Sequence, residues 1–365
     1  MTPIPVARIT GMRVRPVLAP MALPLQTANG SVETAPLVLI DLQTDQGVVG
    51  RSYLFAISAA HLKPIVALLE AMSGMLKGQP LAPFEIERLL RRRYGLLGVH
   101  NIVLFAISGI DMAAWDAATQ MAGQPLVRLL GGVPTGVPAY NSKGLGLLPL
   151  DALADQAQSL LAEGFRAVKM RLGRPSANDD LLALRLVREA IGPHVTLMCD
   201  FNQGLSVNEA IRRGRLLDDE GGLLWIEEPI RADDFEGCAR VANAVRTPIS
   251  LGENFMGPEQ MAQALSFDCC AFVMPDVQRI GGVTGWLRAA ALAQAKSLDM
   301  SSHLFPEISA HLLAVTPTCH WLEYVDWAEP VLGRPVQIED GRVMIPDLPG
   351  SGIAWDEQAV ARYAA

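Results

Sequence analysis

The sequence predicts an α/β fold: a barrel of eight strand–helix units preceded by a smaller α+β unit. Three observations carry this expectation. Acidic residues close successive apolar runs at even spacing, short apolar runs alternate with amphipathic segments after Gly131-Gly132-Val133-Pro134, and strand patterns come before helix patterns upstream of that point. Asp200, Glu227 and Glu253 end the runs 195–200, 223–227 and 248–253, at intervals of 27 and 26 residues. Asp276 follows after 23 residues, His303 after 27 and Glu323 after 20. One strand–helix unit takes about that length, since roughly 250 residues make eight units. Polar groups at the ends of successive strands would meet on one rim, where such barrels gather their chemistry.

Each element follows from its local pattern. Apolar runs rich in strand formers predict strands over 9–17 and 35–42, then a turn at Asp45-Gln46-Gly47 and a third strand from Val48. Between the first two strands, 23–31 is dense in turn formers and is expected as a mobile loop, part of a lid near 20–32. Helical periodicity covers 61–77, 83–94 and 101–121, so residues 1–127 read as an α+β unit. Barrel strands are expected near 137–142, 167–172, 195–200, 223–227, 248–252, 271–275, 298–302 and 319–323, with helices such as 151–163 and 179–191 between them. That assigns 128–340 to the barrel and leaves 341–365, including the strand-like 342–346, to return to the first unit.

Bulk properties narrow the function. The 365 residues carry a net charge of −8, and no basic cluster with interleaved aromatics occurs, which excludes nucleic acid as a partner. Five cysteines without CxxC spacing predict free thiols, with Cys199, Cys270 and Cys319 in or beside apolar runs and expected to be buried. A reducing cytoplasm follows as the expected compartment. Prolines 3, 5, 16, 20 and 24 interrupt any signal-type apolar core, and no uninterrupted apolar stretch reaches about 18 residues, so no membrane span is expected.

The strand-end residues define the chemistry. Three carboxylates crowded on one rim repel one another unless a cation neutralises them, and hard oxygen donors suit Mg²⁺. A single acid there would be read as a helix N-terminal cap, but three at regular strand ends are not explained that way. Asp276 and His303 end neighbouring strands, so the carboxylate can fix one imidazole nitrogen and leave the other as a base. The other five histidines show no such partner and read as structural. In Val168-Lys169-Met170-Arg171-Leu172, period two sends Lys169 and Arg171 to one face, into the barrel mouth. Glu323, crowded by acids, is expected to be held neutral and to act as a hydrogen-bond donor. Asn202 and Glu228 are expected to orient the ligands. Together these groups suit one kind of chemistry, the removal of a weakly acidic proton from the carbon beside a carboxylate.

The motifs Val168-Lys-Met-Arg, Cys199-Asp-Phe-Asn-Gln, Trp225-Ile-Glu-Glu-Pro, Gly252-Glu-Asn, Met274-Pro-Asp, Ser301-Ser-His-Leu-Phe and Trp321-Leu-Glu resemble those of the mandelate racemase group of the enolase superfamily. The likeness extends to Ile280-Gly-Gly-Val-Thr-Gly-Trp and, in the first unit, to Gly109-Ile-Asp-Met-Ala-Ala-Trp-Asp. It implies a modified (β/α)₇β TIM-type barrel under an N-terminal α+β capping domain, with Mg²⁺ on Asp200, Glu227 and Glu253. It also implies a His303–Asp276 base, Glu323 as electrophilic acid and Lys169 beside the substrate carboxylate. One position departs: the group carries Lys-x-Lys on the second strand, the second lysine serving the opposite face of the substrate, and this chain has Arg171 there. A guanidinium is a poor general base, which weakens racemisation and favours elimination of water by the dyad alone.

The expected pocket points the other way. The resemblance places Leu25, Asn29, Val32, Phe55, Ile57, Leu304 and Val325 around the distal part of the substrate, and six of these seven are apolar. Sugar hydroxyls left unpaired against such a wall would cost about 1–3 kcal/mol each. Ser142 and Lys143 would add polar contacts. The expectation is therefore α-proton abstraction from a 2-hydroxycarboxylate, racemase-like on an apolar or aryl substrate, in a homo-oligomer with no nucleic-acid or membrane partner. The alternatives are an acid-sugar dehydratase and, from another class, a carboxylate-binding paralogue without turnover.

Overall fold

The computed structural model describes residues 7–27 and 30–365, with the side chains of residues 25 and 27 outside the described set. Strands β1 (Ile9–Thr27), β2 (Gly30–Thr44) and β3 (Val49–Phe55) form an antiparallel sheet in that order. Of the segment 23–31, expected as an irregular loop, residues 23–27 and 30–31 instead prolong the β1–β2 hairpin, and residues 28 and 29 lie outside the described set. The backbone pairs Leu25 with Val32 and Thr27 with Gly30, after a register shift between Pro20 and Leu25. Helices α1 (Leu62–Leu76), α2 (Pro83–Tyr94), α3 (Ile102–Met121) and α4 (Leu126–Leu129) complete the unit.

Helix α3 is apolar nearly all round because it is the core of this unit. Among the described residues it is the one helix long and apolar enough to cross a membrane, yet 83% of that window is buried inside the fold. Its Leu104, Ile107 and Ile110 are fully buried, each worth about 1.5–3 kcal/mol. The sheet lies directly on α3 where β3 carries Gly50, since a Cβ there would sit 1.9 Å from the Ala113 carbonyl oxygen.

The barrel alternates strand and helix as the spacing predicts: β4 (Gly136–Asn141), α5 (Leu153–Ala162), β5 (Ala167–Arg171), α6 (Ala177–Ile191), β6 (Thr196–Asp200) and α7 (Val207–Glu220). There follow β7 (Leu223–Glu227), α8 (Phe235–Ala244), β8 (Ile249–Leu251), α9 (Pro258–Leu265), β9 (Phe272–Val273), α10 (Val277–Ile280) and α11 (Gly282–Ala295). The last unit is β10 (Asp299–Met300), α12 (Pro306–Leu313) and β11 (Leu322–Tyr324). All pairings along this series are parallel, and β11 returns to pair with β4, which closes the barrel. This is an α/β chain with an N-terminal capping domain and a C-terminal barrel.

The C-terminal segment divides, which the sequence did not anticipate. Strands β12 (Gln337–Glu339) and β13 (Arg342–Met344) form a hairpin on β4, so 342–344 joins the barrel instead of returning to the first domain. Only the remaining tail, with α13 (Glu357–Arg362), crosses back. There Trp355 Nε1 donates to Asp41 at 2.7 Å and the Leu18 amide donates to the Tyr363 carbonyl at 2.8 Å. All five cysteines are free, with Cys270 half-buried, and Cys319, expected to be buried, is exposed where it bridges Met300 just before β11.

Candidate active site at the barrel rim

The eight parallel strands deliver their C-terminal residues to one rim. Asp200 and Glu227 end β6 and β7 in register with each other, and Glu253 lies two residues beyond β8. Glu253 reaches the rim because Gly252 takes φ 139°, and a Cβ there would lie 2.8 Å from the Met274 nitrogen. One ligand oxygen from each of the three acids lies within 4.8 Å of the others. Burial pushes Asp200 up from the usual carboxylate range. Burial likewise pushes Glu227 to about 8 against the pull of Lys169, with Asp200 adding to the rise. Acids in this state lack positive charge, and hard oxygens this close together fit a divalent cation such as Mg²⁺.

The surrounding residues orient these acids. The Asn202 amide N–H and side-chain N–H donate to the two Asp200 oxygens at 2.7 and 2.8 Å. Trp225 Nε1 donates to Glu227 Oε2 at 3.1 Å. Glu228, buried and raised well above its usual range by burial, accepts from Gln203 and Asn254, and Asn254 also donates to Glu253 at 3.1 Å. Asn202, Gln203 and Glu228 all have left-handed backbones, strain that is held only where the surroundings enforce it. Sequence reasoning points to Asn202 and Glu228 but misses Gln203, Asn254 and Trp225, although each of these stands within three positions of a ligand.

Lys169 and Arg171 both point inward from β5, as period two requires, but they meet different partners. Lys169 Nζ lies 2.6 Å from Glu227, 2.8 Å from Glu323 and 3.4 Å from Asp200, with 1% of its side chain exposed. Burial alone would depress its ammonium; the carboxylates, Glu227 first, outweigh burial and hold it well above the ordinary value. Arg171 Nη1 donates to the carbonyls of Ser142 and Gly144 at 2.7 Å each, and Nη2 donates to Ser142 Oγ at 3.2 Å. Ser142 thus contacts Arg171, and its side chain also hydrogen-bonds the Glu323 carboxylate. Lys143 faces away from the rim, held by Glu163 at 2.8 Å and Asp326 at 3.2 Å, so its expected contact with substrate is not made.

His303 Nδ1 lies 2.8 Å from Asp276 Oδ2. The other Asp276 oxygen accepts the Gln278 and Arg279 amides and caps α10. Nδ1–H is thereby committed to Asp276, which leaves Nε2 turned inward, 3.3 Å from Glu253 and 3.7 Å from Glu323. Burial would lower the imidazole, but Glu253, then Glu323 and Asp276, raise it to about 9. Glu323 does not match its expected neutral state. Burial favours the neutral acid, but Lys169 and then His303 hold the carboxyl well below the usual range, and the Leu304 amide also donates to it at 3.1 Å.

The cavity above these groups is walled by Phe55 and Ile57 from the capping domain and by Leu304 and Trp327 from the barrel. Phe55 packs on Trp327 with ring centroids 5.0 Å apart. Gln278 and Arg279 also line it and carry no signal in the sequence beyond following Asp276. Val325 instead lines an adjoining void with Leu37 and Tyr53 that shares Phe55, Leu304 and Trp327 with the cavity, and Val32 is half-buried on the hairpin. Asn29 and the Leu25 side chain lie outside the described residues.

The comparisons agree with this geometry. The model of the mandelate racemase / muconate lactonizing enzyme N-terminal domain matches residues 9–131, and that of the enolase C-terminal domain-like unit matches 152–359. The chain belongs to the mandelate racemase / muconate lactonizing enzyme family of the enolase superfamily. It is similar to an enolase from the alpha-proteobacterium BAL199 solved with bound Mg, at 44% identity over 98% of this chain and 100% of the other, TM-score 0.96. An enolase from Bradyrhizobium complexed with magnesium and mandelic acid is 43% identical over 99% of each chain, TM-score 0.95. L-talarate/galactarate dehydratase from Salmonella typhimurium is 31% identical, covering 96% of this chain and 90% of its own. As a member of this family the protein is a Mg²⁺-dependent enzyme, and Asp200, Glu227 and Glu253 form a cluster that could hold such an ion.

Proposed function

We propose that the enzyme removes the α-proton of a 2-hydroxycarboxylate from one face only, with His303 as base, and eliminates water from the adjacent carbon. The observation that carries this reading is Arg171, whose guanidinium is committed to the Ser142 and Gly144 carbonyls on the far side of the rim from His303. A guanidinium holds positive charge but does not accept a proton, so that side has no evident base. This moves the balance from the racemase-like expectation toward dehydration.

Bound to Asp200, Glu227 and Glu253, Mg²⁺ would supply positive charge to the substrate carboxylate as negative charge grows on it. Lys169 adds a fixed ammonium beside the same oxygens, its burial offset by Glu227 and Glu323. Asp276 holds the His303 ring so that Nε2 presents a lone pair to the α-carbon. His303 takes the proton, the C–H electron pair enters the carboxylate to give an enediolate, and that pair then expels the β-hydroxyl. The hydroxyl leaves with the same proton from His303 as water, and the resulting enol becomes a 2-keto acid.

A second reading, racemase-like action on an aryl substrate, draws on the apolar wall of Phe55, Ile57, Leu304 and Trp327 and on the Bradyrhizobium relative solved with mandelic acid. Incubation with Mg²⁺ in D₂O, read by NMR, separates the two. Mandelate and glycerate serve as probes. One-sided deuterium exchange on mandelate, with a 2-keto acid from the dihydroxy acid, supports the first reading. Deuterium in both enantiomers of mandelate supports the second. Binding of acids across a broad panel with no exchange in any would leave only a carboxylate-binding role.

A further inference from the structure

We infer that Gln278 is a positioning residue that locks the apolar roof of the cavity to the helix capped by Asp276, the carboxylate that orients the base, and so governs which substrate side chains fit. The inference rests on the proposed function for its substrates but not for its structural test. Strand β3 is an edge of the three-stranded sheet, and Phe55 is its last residue. The Gln278 side chain serves Phe55 as a neighbouring strand would. Its Oε1 accepts the Phe55 N–H at 2.8 Å and its Nε2 donates to the Phe55 carbonyl at 3.1 Å. With 2% of its surface exposed, Gln278 is buried, so loss of either bond would leave a buried polar group without its partner.

The roof needs this clasp. Two residues beyond Phe55, Ile57 adopts φ 65°, a left-handed backbone that a β-branched residue rarely takes. It is also 42% exposed, so packing alone does not hold it there. The turn is fixed just before Ile57, where Ala56 donates to the Pro36 carbonyl at 2.8 Å and its own carbonyl lies 2.9 Å from His61 Nδ1. Gln278 is the upstream anchor. Its backbone N–H meanwhile donates to Asp276 Oδ1 at 2.7 Å, two residues from the carboxylate that orients His303. One four-residue helix therefore references both the base and the roof, although they belong to different domains. A site held this way discriminates by shape, because the roof cannot retreat to admit a larger group.

Gln278→Leu keeps the volume and removes both bonds; Gln278→Glu keeps the acceptor for the Phe55 N–H and, when ionised, loses the donor. Amide hydrogen exchange of the 53–58 segment, measured on the enzyme with Mg²⁺ and no substrate, should rise at least tenfold in the leucine variant and less in the glutamate variant, with the barrel strands unchanged. In the α-proton exchange assay, KM for mandelate should rise about tenfold with kcat within threefold. Glycolate, which has no side chain to meet the roof, should change less than threefold in either constant. Unchanged exchange at 53–58 in both variants would overturn the inference, as would equal losses on mandelate and glycolate. If the leucine variant does not fold, the glutamate variant alone decides by the same local exchange. If neither these acids nor glycerate reacts with the wild type, the proposed function fails while the exchange result still tests the clasp.

Discussion

On one side of the cavity His303 gives its Nδ1 to Asp276 and keeps Nε2 within 4 Å of two carboxylates. On the other, Lys169 is surrounded by three carboxylates and Arg171 by backbone carbonyls. Both sides present cationic-type side chains at the barrel rim, yet in the function proposed above only one cycles a proton. The difference lies in the partners. A carboxylate that takes one imidazole nitrogen frees the other, whereas partners that surround an ammonium or a guanidinium fix its charge in place. On the proposed reading, one side of the site moves protons and the other holds charge still.

The largest effect should come from breaking the mobile side. His303→Asn keeps the hydrogen bond to Asp276 but has no group that can take up a proton. Exchange of the α-proton in D₂O should fall by about 10⁴-fold, near the upper limit for general acid–base catalysis. Exchange persisting at wild-type rate would mean the base lies elsewhere.

Removing the fixed charge comes next. Lys169→Met leaves Glu227, Asp200 and Glu323 buried without their ammonium, and breaking a buried ion cluster costs about 3–5 kcal/mol of stability. kcat should fall by about 10²–10³, as when one preorganised electrostatic group is lost. Added Mg²⁺ should raise the melting temperature of this variant more than that of the wild type, because the ion then meets an uncompensated cluster. Equal stabilisation of both proteins by Mg²⁺ would show that Lys169 does not share the acids with the metal.

Much of this contrast is legible in the sequence. The even spacing of Asp200, Glu227, Glu253, Asp276, His303 and Glu323 is a consequence of strand–helix repetition, so the barrel and its rim can be read together. Period two places Lys169 and Arg171 inward. What spacing does not encode is the partner of each side chain once there. Nothing local to Arg171 shows that it would be occupied by Ser142 and Gly144, which lie 29 and 27 residues earlier. The expectation of a neutral Glu323 fails for the same reason, since its neighbours include Lys169 as well as acids. Trp327 and Gln278 reach the cavity only through contact between two domains, and the 342–346 piece carries no mark of which sheet it would join.

Arg171→Lys tests whether the static side is static because of its residue alone. A shorter ammonium cannot span both carbonyls and gains the capacity to lose a proton when a neighbouring cation depresses it. Deuterium should then enter the opposite enantiomer of mandelate, from undetectable in the wild type to measurable by chiral chromatography and mass spectrometry. Loss of one-sided exchange without any gain on the other face would show that Arg171 chiefly secures the loop after β4.

The smallest effect tests the cause assigned to the mobile side. His311, eight residues after His303 at the far end of α12, is buried even more deeply but has neutral partners. Its Nδ1 accepts from the Val127 amide at 3.2 Å and its Nε2 lies 3.2 Å from the Ser351 carbonyl. Burial without a carboxylate takes its pKa down to about 4, where His303 goes up. The folded state thus favours neutral His311, while the unfolded chain takes up a proton below about 6.5. The contribution to stability is full above that pH and is lost as pH falls toward 4. His311→Gln can offer the same acceptor and donor without titrating. Urea unfolding at pH 7.5 and 4.5 should therefore show the glutamine variant gaining on the wild type by about 3 kcal/mol at the lower pH. His303 titrates in both proteins and cancels in the difference. A pH-independent difference would mean that burial does not depress His311, and would remove the contrast by which the carboxylates around His303, and not its depth, account for its proton affinity.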